Sequence, residues 1–564
     1  MQNLEFSQEA LRRLPTIAEK FGTPLYLYDG DKLKANYLGL KSCLPEFVDV
    51  FYALKVNPNI SLCSLLRSEG ANAEVCSLAE LEIAVKAGFS PDNIIFLGPS
   101  KREEEIRRAV ELNIFALVVE SREELNRASI IAEQMGKTAN IAIRINPNFA
   151  ADSAPLKMGG RPTHFGLSQD EVVRDFPQLA STPNVCIRGI HIYNGSRILE
   201  AKAIYENTRN ILELFQKIHE QHKCSFDMVD VGGGMGIPYF GKEKPLNQLD
   251  LERLMKPLFN EFHARYPGVR IIMESGRYIA ATSAIFITRV NSVKESHGKT
   301  FAVCDGGTNC HLSAVGLDSV VKRNFPIFNL SNENKEVTKV YQVSGPLCNP
   351  DDLLARKVEL PVISVEDLLA ISSSGAYGPT ASPTLFHSQG YPAEVLFESG
   401  KAHLIRKRDR PEDIIERHVF VDFCAQNHTN LTSTSQDIVN TDRIIIPAVV
   451  TALRKVLEIP RSVIVNSSSR LRADLGLDSI SAMEFLIELE DEISGFKVNS
   501  DTLEARHFRD VLSIAQYISA EMTDGQEDSQ LNVANHQRPS VLHNQQKTLA
   551  TDKEIDRIPV SAYQ

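Results

Sequence analysis

The stretch Phe51-Tyr52-Ala53-Leu54-Lys55-Val56-Asn57-Pro58-Asn59 decides the fold. A run of apolar β-formers ends in one lysine, and a polar Asn-Pro-Asn turn follows at once, the pattern of a buried strand presenting an amine at its C-terminal end. Apolar neighbours disfavour the ammonium form, so the Lys55 pKa is expected to fall. An amine tuned that way suits Schiff-base formation with an aldehyde cofactor. The alternative is a strand-end lysine whose stem is buried and whose head reaches water.

Working outward, short apolar runs alternate with charged, helix-like segments. They are Val50–Leu54, Ala73–Cys76, Ile94–Leu97, Phe115–Val119, Ile141–Ile145, Ile187–Tyr193, Met228–Val231 and Val269–Met273. Eight such units predict an α/β (β/α)8 barrel over 49–285, with an open doubly wound sheet as the alternative. Barrel chemistry sits at the C-terminal strand ends. Here those ends carry Lys55, Glu74, Arg144, His191, Tyr193, Gly232-Gly233-Gly234-Met235-Gly236 and Glu274-Ser275-Gly276-Arg277.

The glycine run lets backbone N–H groups approach a phosphate, but lacks dinucleotide GxGxxG spacing and a P-loop lysine. Gly276 and Arg277 add a second phosphate-binding element near the last two strands. Glu274 is read either as the partner of a protonated ring nitrogen or as a salt bridge to Arg144 or Arg277. His191 and Tyr193, two residues apart, are expected to face one side, where either is placed to stack on a planar ring, with an ordinary core tyrosine as the alternative for Tyr193.

Beyond about 285 the texture changes. Residues 286–422 read as a mainly β domain, with strands Thr300–Cys304, Val337–Val343 and Asp367–Ile371, and residues 1–48 are expected to join it. Polar residues 423–437 read as a linker. Helical periodicity over Ile444–Leu457, Ile480–Leu489 and Val511–Ile518 predicts a small helical module at 438–522, and 523–564 reads as a disordered tail.

The 564-residue chain carries a net charge of -11, which argues against non-specific nucleic-acid or anionic-membrane binding. There is no signal-like N-terminus and no apolar run near membrane-spanning length. The nine cysteines include no CxxC pair, so neither a zinc site nor a disulfide framework is expected, and a reducing cytoplasm is.

Residues 1 to about 420 resemble the fold-type III pyridoxal-phosphate decarboxylases, the group of diaminopimelate and ornithine decarboxylases. The matching motifs are Tyr52-Ala53-Leu54-Lys55-Val56-Asn57, Arg144-Ile145-Asn146-Pro147, Phe165-Gly166, Gly195-Ser196, Gly232-Gly233-Gly234, Glu274-Ser275-Gly276-Arg277-Tyr278, Gly345-Pro346-Leu347-Cys348 and Gly375-Ala376-Tyr377-Gly378. The resemblance implies that Lys55 carries pyridoxal 5′-phosphate and that Glu274 pairs with its ring nitrogen. It places Gly233, Gly234, the Met235 backbone, Gly276, Arg277 and Tyr377 on the phosphate, and Glu74 and Arg144 around the ring. It also implies a head-to-tail homodimer in which Cys348 reaches the neighbouring site and governs product protonation.

Two features depart from the family pattern. Asn349 stands where diamino-acid decarboxylases carry an acidic residue, which speaks against a second basic group on the substrate. The ring-stacking histidine position falls on Tyr193. Residues 438–522 resemble an acyl or peptidyl carrier domain, with Leu475-Gly476-Leu477-Asp478-Ser479 as the signature and Ser479 as the expected 4′-phosphopantetheine attachment site.

Together these imply a decarboxylase of secondary metabolism acting on an amino acid tethered as a thioester to the carrier, with a phosphopantetheinyl transferase and a loading enzyme as partners. The tether must leave the α-carboxylate free, so glutamate or aspartate attached through the side chain fits, with Arg161, Arg323 and Asn349 as candidate substrate contacts. The alternatives are decarboxylation of a free amino acid whose product the carrier accepts, a carrier scaffold with a weak barrel, and a racemase.

Overall fold

The computed structural model describes residues 6–150, 154–315, 323–332, 337–421, 444–460 and 463–531, with the backbone alone for Ser479, Ile480 and 523–531. The linker read at 423–437 and the tail beyond Leu531 lie outside the described residues. The chain divides into two compact units at Val419/Phe420. No helix among the described residues is long and apolar enough to cross a membrane, and the described cysteines are free thiols.

Eight parallel strands close on themselves in the first unit. In chain order they are Val48–Ala53, Asn72–Val75, Ile94–Phe96, Ala116–Val119, Ala139–Asn146, Val185–His191, Met228–Asp230 and Arg270–Ser275. The first pairs with the eighth through Val50↔Met273 and Phe51↔Glu274, and no open edge remains in the barrel. Helices such as Ile60–Ser68, Leu78–Lys86, Arg122–Gln134 and Ala201–His222 return the chain between strands. Ser77 and Ser121 each cap one of these helices by accepting an N–H at the third helical position, a role their place before apolar-periodic segments suits.

The strands bury both faces. Phe51, Ile95, Ala116, Val118, Ala142, Met228 and Ile272 fill the barrel interior, whereas Val50, Tyr52, Ala73, Ile141 and Val229 pack outward under the helices. The alternation carries polar residues inward at the upper ends. Two residues beyond Ala142 stands Arg144, two beyond Met228 stands Asp230, and two beyond Ile272 stands Glu274.

The second layer of this unit is a sheet in the order Leu353–Pro361, Thr338–Ser344, Lys299–Cys304, Ala284–Ser296, Leu25–Asp29, Ala393–Glu398, Lys401–Arg406. The early strand Leu25–Asp29 lies antiparallel to Ala284–Ser296 and parallel to Ala393–Glu398. The helix Gln8–Phe21 buries Leu11, Leu14 and Ile17 against the sheet.

In the second unit, helices Ile446–Val456, Ser479–Glu492 and Val511–Leu531 share a core of Val449, Leu453, Leu471, Leu477, Phe485, Leu489, Ile514 and Ile518. Asp478 caps the second of these helices. Its carboxylate accepts the Ser481 N–H at 2.8 Å, and Ser479 is the first helical residue.

Candidate active site

The upper strand ends enclose a cavity lined by Ala53, Lys55, Val56, Tyr193, Ser196, Gly234, Met235, Glu274, Ser275, Gly276, Arg277 and Tyr377. Lys55 stands on a single 3-10 turn, Leu54–Val56, just past the strand end, because the Asn57-Pro58 step ends the strand and turns the chain outward. Ala53 lies beside Glu74 in register, so the amine meets that carboxylate. Lys55 Nζ donates to Glu74 Oε1 at 2.7 Å and Oε2 at 2.9 Å. Glu74 is fully buried and the Lys55 side chain is 35% exposed, into the cavity.

The expectation of a lowered lysine pKa is corrected by this pair. Burial does press the amine toward its neutral form, but the Glu74 carboxylate, with Cys76, Glu274 and Tyr377, outweighs it and holds the ammonium well above its usual range. Apolar neighbours in sequence foretold the desolvation; the neutralising carboxylate came from the next strand.

Glu274 belongs to a second buried cluster. Its Oε1 lies 3.1 Å from His191 Nε2, and ligating atoms of His191, Asp230 and Glu274 all fall within 4.8 Å of one another. Sequence reading passed over Asp230, whose only local signal is its place two residues before the glycine run. Its Oδ1 accepts the Gly232 N–H at 2.8 Å. Burial first, then the charges of Glu274 and Glu74, drive the Asp230 pKa well up against the Gly232 N–H that lowers it. Burial acts against Glu274 too, but His191, Lys55 and Arg144 outweigh it and hold its pKa below the usual range. Under the same burial the two carboxyls of the pair thus shift in opposite directions, Asp230 up and Glu274 down.

The salt bridge expected as the alternative role of Glu274 goes elsewhere. Arg144 Nη1 donates to Glu120 Oε1 at 2.9 Å, and its guanidinium lies over Phe165 at 4.5 Å. Glu120, another residue missed from sequence, also accepts the N–H groups of Gly98 and Gly166. His191 and Tyr193 do not share a position. The strand ends at His191, which is fully buried in the layer beneath the cavity. Tyr193, beyond the strand end, lines the cavity with its ring centroid 5.8 Å from Lys55 Nζ. The even spacing assumed one continuous strand, but the strand stops at His191 and regular pairing resumes only at Gly195–Ser196.

At the other end of the cavity the glycine run packs against two strand tops. A Cβ on Gly233 would stand 1.8 Å from the Glu274 carbonyl oxygen, and one on Gly234, at φ +89°, would stand 2.1 Å from that of Gly195. Only glycine keeps this backbone so close. Arg277 lies 4.7 Å over the Tyr377 ring and donates from Nη1 to Tyr239 Oη at 3.1 Å. Tyr377 is held at φ 56°, an uncommon conformation for a tyrosine, by its N–H bond to Val56 O at 2.9 Å.

Cys348 and Asn349 are exposed and stand apart from this cavity. Arg161 donates to Lys157 O at 2.8 Å and Arg323 lies 5.3 Å from the Phe240 ring centroid; neither lines the cavity. Among the described residues, Glu274 Oε2 and Arg277 Nε are buried without a hydrogen-bond partner. A free carboxylate oxygen and a free guanidinium N–H at opposite parts of one cavity, with an amine and a glycine cradle between, fit pyridoxal phosphate.

Comparison with known proteins agrees with that donor set. Residues 31–281 match the family model described as pyridoxal-dependent decarboxylase, pyridoxal binding domain, and residues 447–518 match the phosphopantetheine attachment site. The chain is 35% identical over 407 residues to the L-glutamyl-[BtrI acyl-carrier protein] decarboxylase of Niallia circulans, covering 71% of this chain and 95% of that protein. It is 34% identical over 407 residues to the diaminopimelate decarboxylase of Aquifex aeolicus, covering 72% and 93% respectively. The crystal structure of Helicobacter pylori diaminopimelate decarboxylase complexed with L-lysine superposes with a TM-score of 0.65 at 30% identity, covering 72% of this chain and 98% of that one. The cavity, the fold and these relatives together establish that the chain belongs to the pyridoxal-dependent decarboxylases, amino-acid lyases that use pyridoxal 5′-phosphate, here joined to a 4′-phosphopantetheine-bearing domain.

Proposed function

We propose that this decarboxylase acts on a dicarboxylic amino acid, glutamate or aspartate, held through its side-chain carboxyl as a thioester on the phosphopantetheine arm of its carrier domain. The observation that carries this reading is the presence, in one chain, of the barrel match and the attachment-site match. A relative covering 95% of its own length acts on a carrier-bound glutamyl group. Ser479 would bear the arm, at the start of the helix capped by Asp478. A fused carrier presents its cargo at high effective concentration.

In this reading Lys55 would hold the cofactor through its amine, and Glu274, whose Oε2 has no partner, would pair with the ring nitrogen while His191 fixes Oε1. Gly233, Gly234, the Met235 backbone, Gly276, Arg277 and Tyr377 would hold the phosphate, and Glu74, Arg144 and Tyr193 would stand around the ring. When bound, pyridoxal phosphate supplies the electron sink for the pair released as the Cα–carboxylate bond breaks. The chain's own part is acid–base. CO2 leaves, and one proton must reach Cα from Lys55 Nζ or from the Cys348 thiol. Lys55 is well placed to hold that proton, since Glu74 favours its ammonium form. Exposed Cys348 suits a residue serving a partner subunit's cavity, in a homodimer. Asn349, beside it, offers an amide and no carboxylate for a distal amine.

A free amino acid is the second reading, favoured by the near-equal identity to diaminopimelate decarboxylases. The test uses full-length protein carrying phosphopantetheine, a panel of amino acids offered free and loaded, CO2 release, and intact mass of the chain. Loss of 44 Da only from a loaded chain, abolished in Ser479→Ala, is the expected result; that shift is the mass of CO2. CO2 from a free amino acid with unchanged carrier mass would refute tethering.

A further inference from the structure

Outside the cavity, the wall that carries Arg277 continues as a ladder of rings and guanidinium groups. Arg277 lies 5.7 Å from the Tyr239 ring centroid, and Tyr239 stacks on Phe325 at 4.4 Å. Arg197 lies 5.6 Å from Tyr239 and 5.7 Å from Phe240. Arg323 reaches the same Phe240 ring at 5.3 Å. Two guanidinium groups therefore share one aromatic ring, and the run leads from the cavity wall to the surface, where Arg323 is exposed.

None of the roles assigned above uses Arg197. Its backbone is held at φ 66°, in the left-handed region that arginine rarely adopts, and such strain clusters at ligand clamps. The only carboxylate beside it among the described residues is Glu243, at a loose 3.7 Å. Glu243 is already engaged, because its other oxygen accepts the N–H groups of Tyr239 and Phe240 at 2.9 and 3.3 Å. Cation–π contact with the rings seats both guanidinium groups, and guanidinium N–H groups are strong donors to an anion.

We propose that Arg197 and Arg323, seated on Phe240, form a clamp for the phosphodiester of the 4′-phosphopantetheine arm. The proposal deepens the carrier-bound reading and rests on it. The arm's chemistry runs in the same order as the wall: an anion at its outer end, then neutral amides, then the thioester at the reacting end. The substrate's α-carboxylate cannot be the anion in question, because it must stand at the cofactor while the clamp lies outside the cavity. Guanidinium forks match phosphate oxygens in pairs, which selects phosphate over an uncharged ligand.

The test measures binding by calorimetry on full-length Ser479→Ala protein, which has no arm of its own, loaded with pyridoxal phosphate. The probes are 4′-phosphopantetheine, pantetheine and inorganic phosphate. The expected result is about tenfold tighter binding of 4′-phosphopantetheine than of pantetheine, with Arg197→Gln and Arg323→Gln each removing roughly a two- to fivefold part of that preference. Equal affinities for the two probes, or an undiminished preference in both variants, would overturn the clamp. Inorganic phosphate competing as strongly as 4′-phosphopantetheine would overturn its assignment to the arm. Turnover of the amino-acyl thioesters of both probes separates this from the function itself. Thioester turnover without any phosphate preference refutes the clamp alone, and turnover of free amino acids only refutes the carrier-bound reading and the clamp with it.

Discussion

Replacing Asp230 separates two features of this residue, its hold on the glycine run and its raised pKa beside Glu274. In Asp230→Asn the amide oxygen still accepts from Gly232 N–H, at the place of the present 2.8 Å bond, and the amide N–H replaces the acid proton facing Glu274. In Asp230→Ala the Gly232 N–H loses its acceptor in a fully buried place. The alanine variant should therefore lose about 1–3 kcal/mol, and the asparagine variant little. The pH dependence is the sharper readout.

Because folding raises the Asp230 pKa, the folded state binds this proton more tightly than the unfolded chain. Its stabilising effect is complete below the usual aspartate range and is lost as pH rises toward the raised value. The wild type should thus lose stability with rising pH relative to Asp230→Asn, by up to about 1.4 kcal/mol per pH unit for one proton. Denaturant unfolding of the cofactor-free barrel unit, followed by circular dichroism at a series of pH values, measures that difference. Parallel stability profiles for wild type and Asp230→Asn would refute a raised Asp230 pKa.

Lys55→Met leaves Glu74 buried without its cation. A broken buried pair costs about 3–5 kcal/mol, reduced here to about 2–3 because the Lys55 side chain is 35% exposed to the cavity. Adding Glu74→Gln should restore most of the loss in the cofactor-free protein, and a double variant no more stable than Lys55→Met would contradict the pair's role. Gly233→Ala puts a Cβ 1.8 Å from a backbone oxygen. The loop must shift, so absorbance titration should show pyridoxal phosphate affinity falling at least about tenfold; a change below twofold would contradict it.

The barrel was legible because its signal is local and repeated. Eight apolar runs separated by helix-like segments appear as eight closed strands, and Lys55, the glycine run and Glu274 are announced by what immediately surrounds them. The carrier helices follow from a 3.6-residue periodicity in the same way. Pairings between strands leave no such mark. Glu120 sits next to an apolar run like many surface acids, and nothing local says that it holds Arg144. Asp230 looks like a turn residue until the neighbouring strands bring His191 and Glu274 beside it. The alternation of each strand says which face a residue takes, but the height at which a strand ends decides who reaches the cavity, and this parted Tyr193 from His191.

The sequence by itself determined the repeat, the amine at the top of the first strand, the glycine cradle and the Asp478-Ser479 helix start, since each depends on residues a few positions apart. Only the tertiary structure decided the partnerships and the direction of each pKa shift: an ammonium held at Lys55 where apolar neighbours suggested a free amine, Asp230 pushed up and Glu274 down, and two arginines on one phenylalanine ring. The physical reason is that burial acts on each group through all the strands around it, and the nearest opposing charge lies across the barrel rather than along the chain.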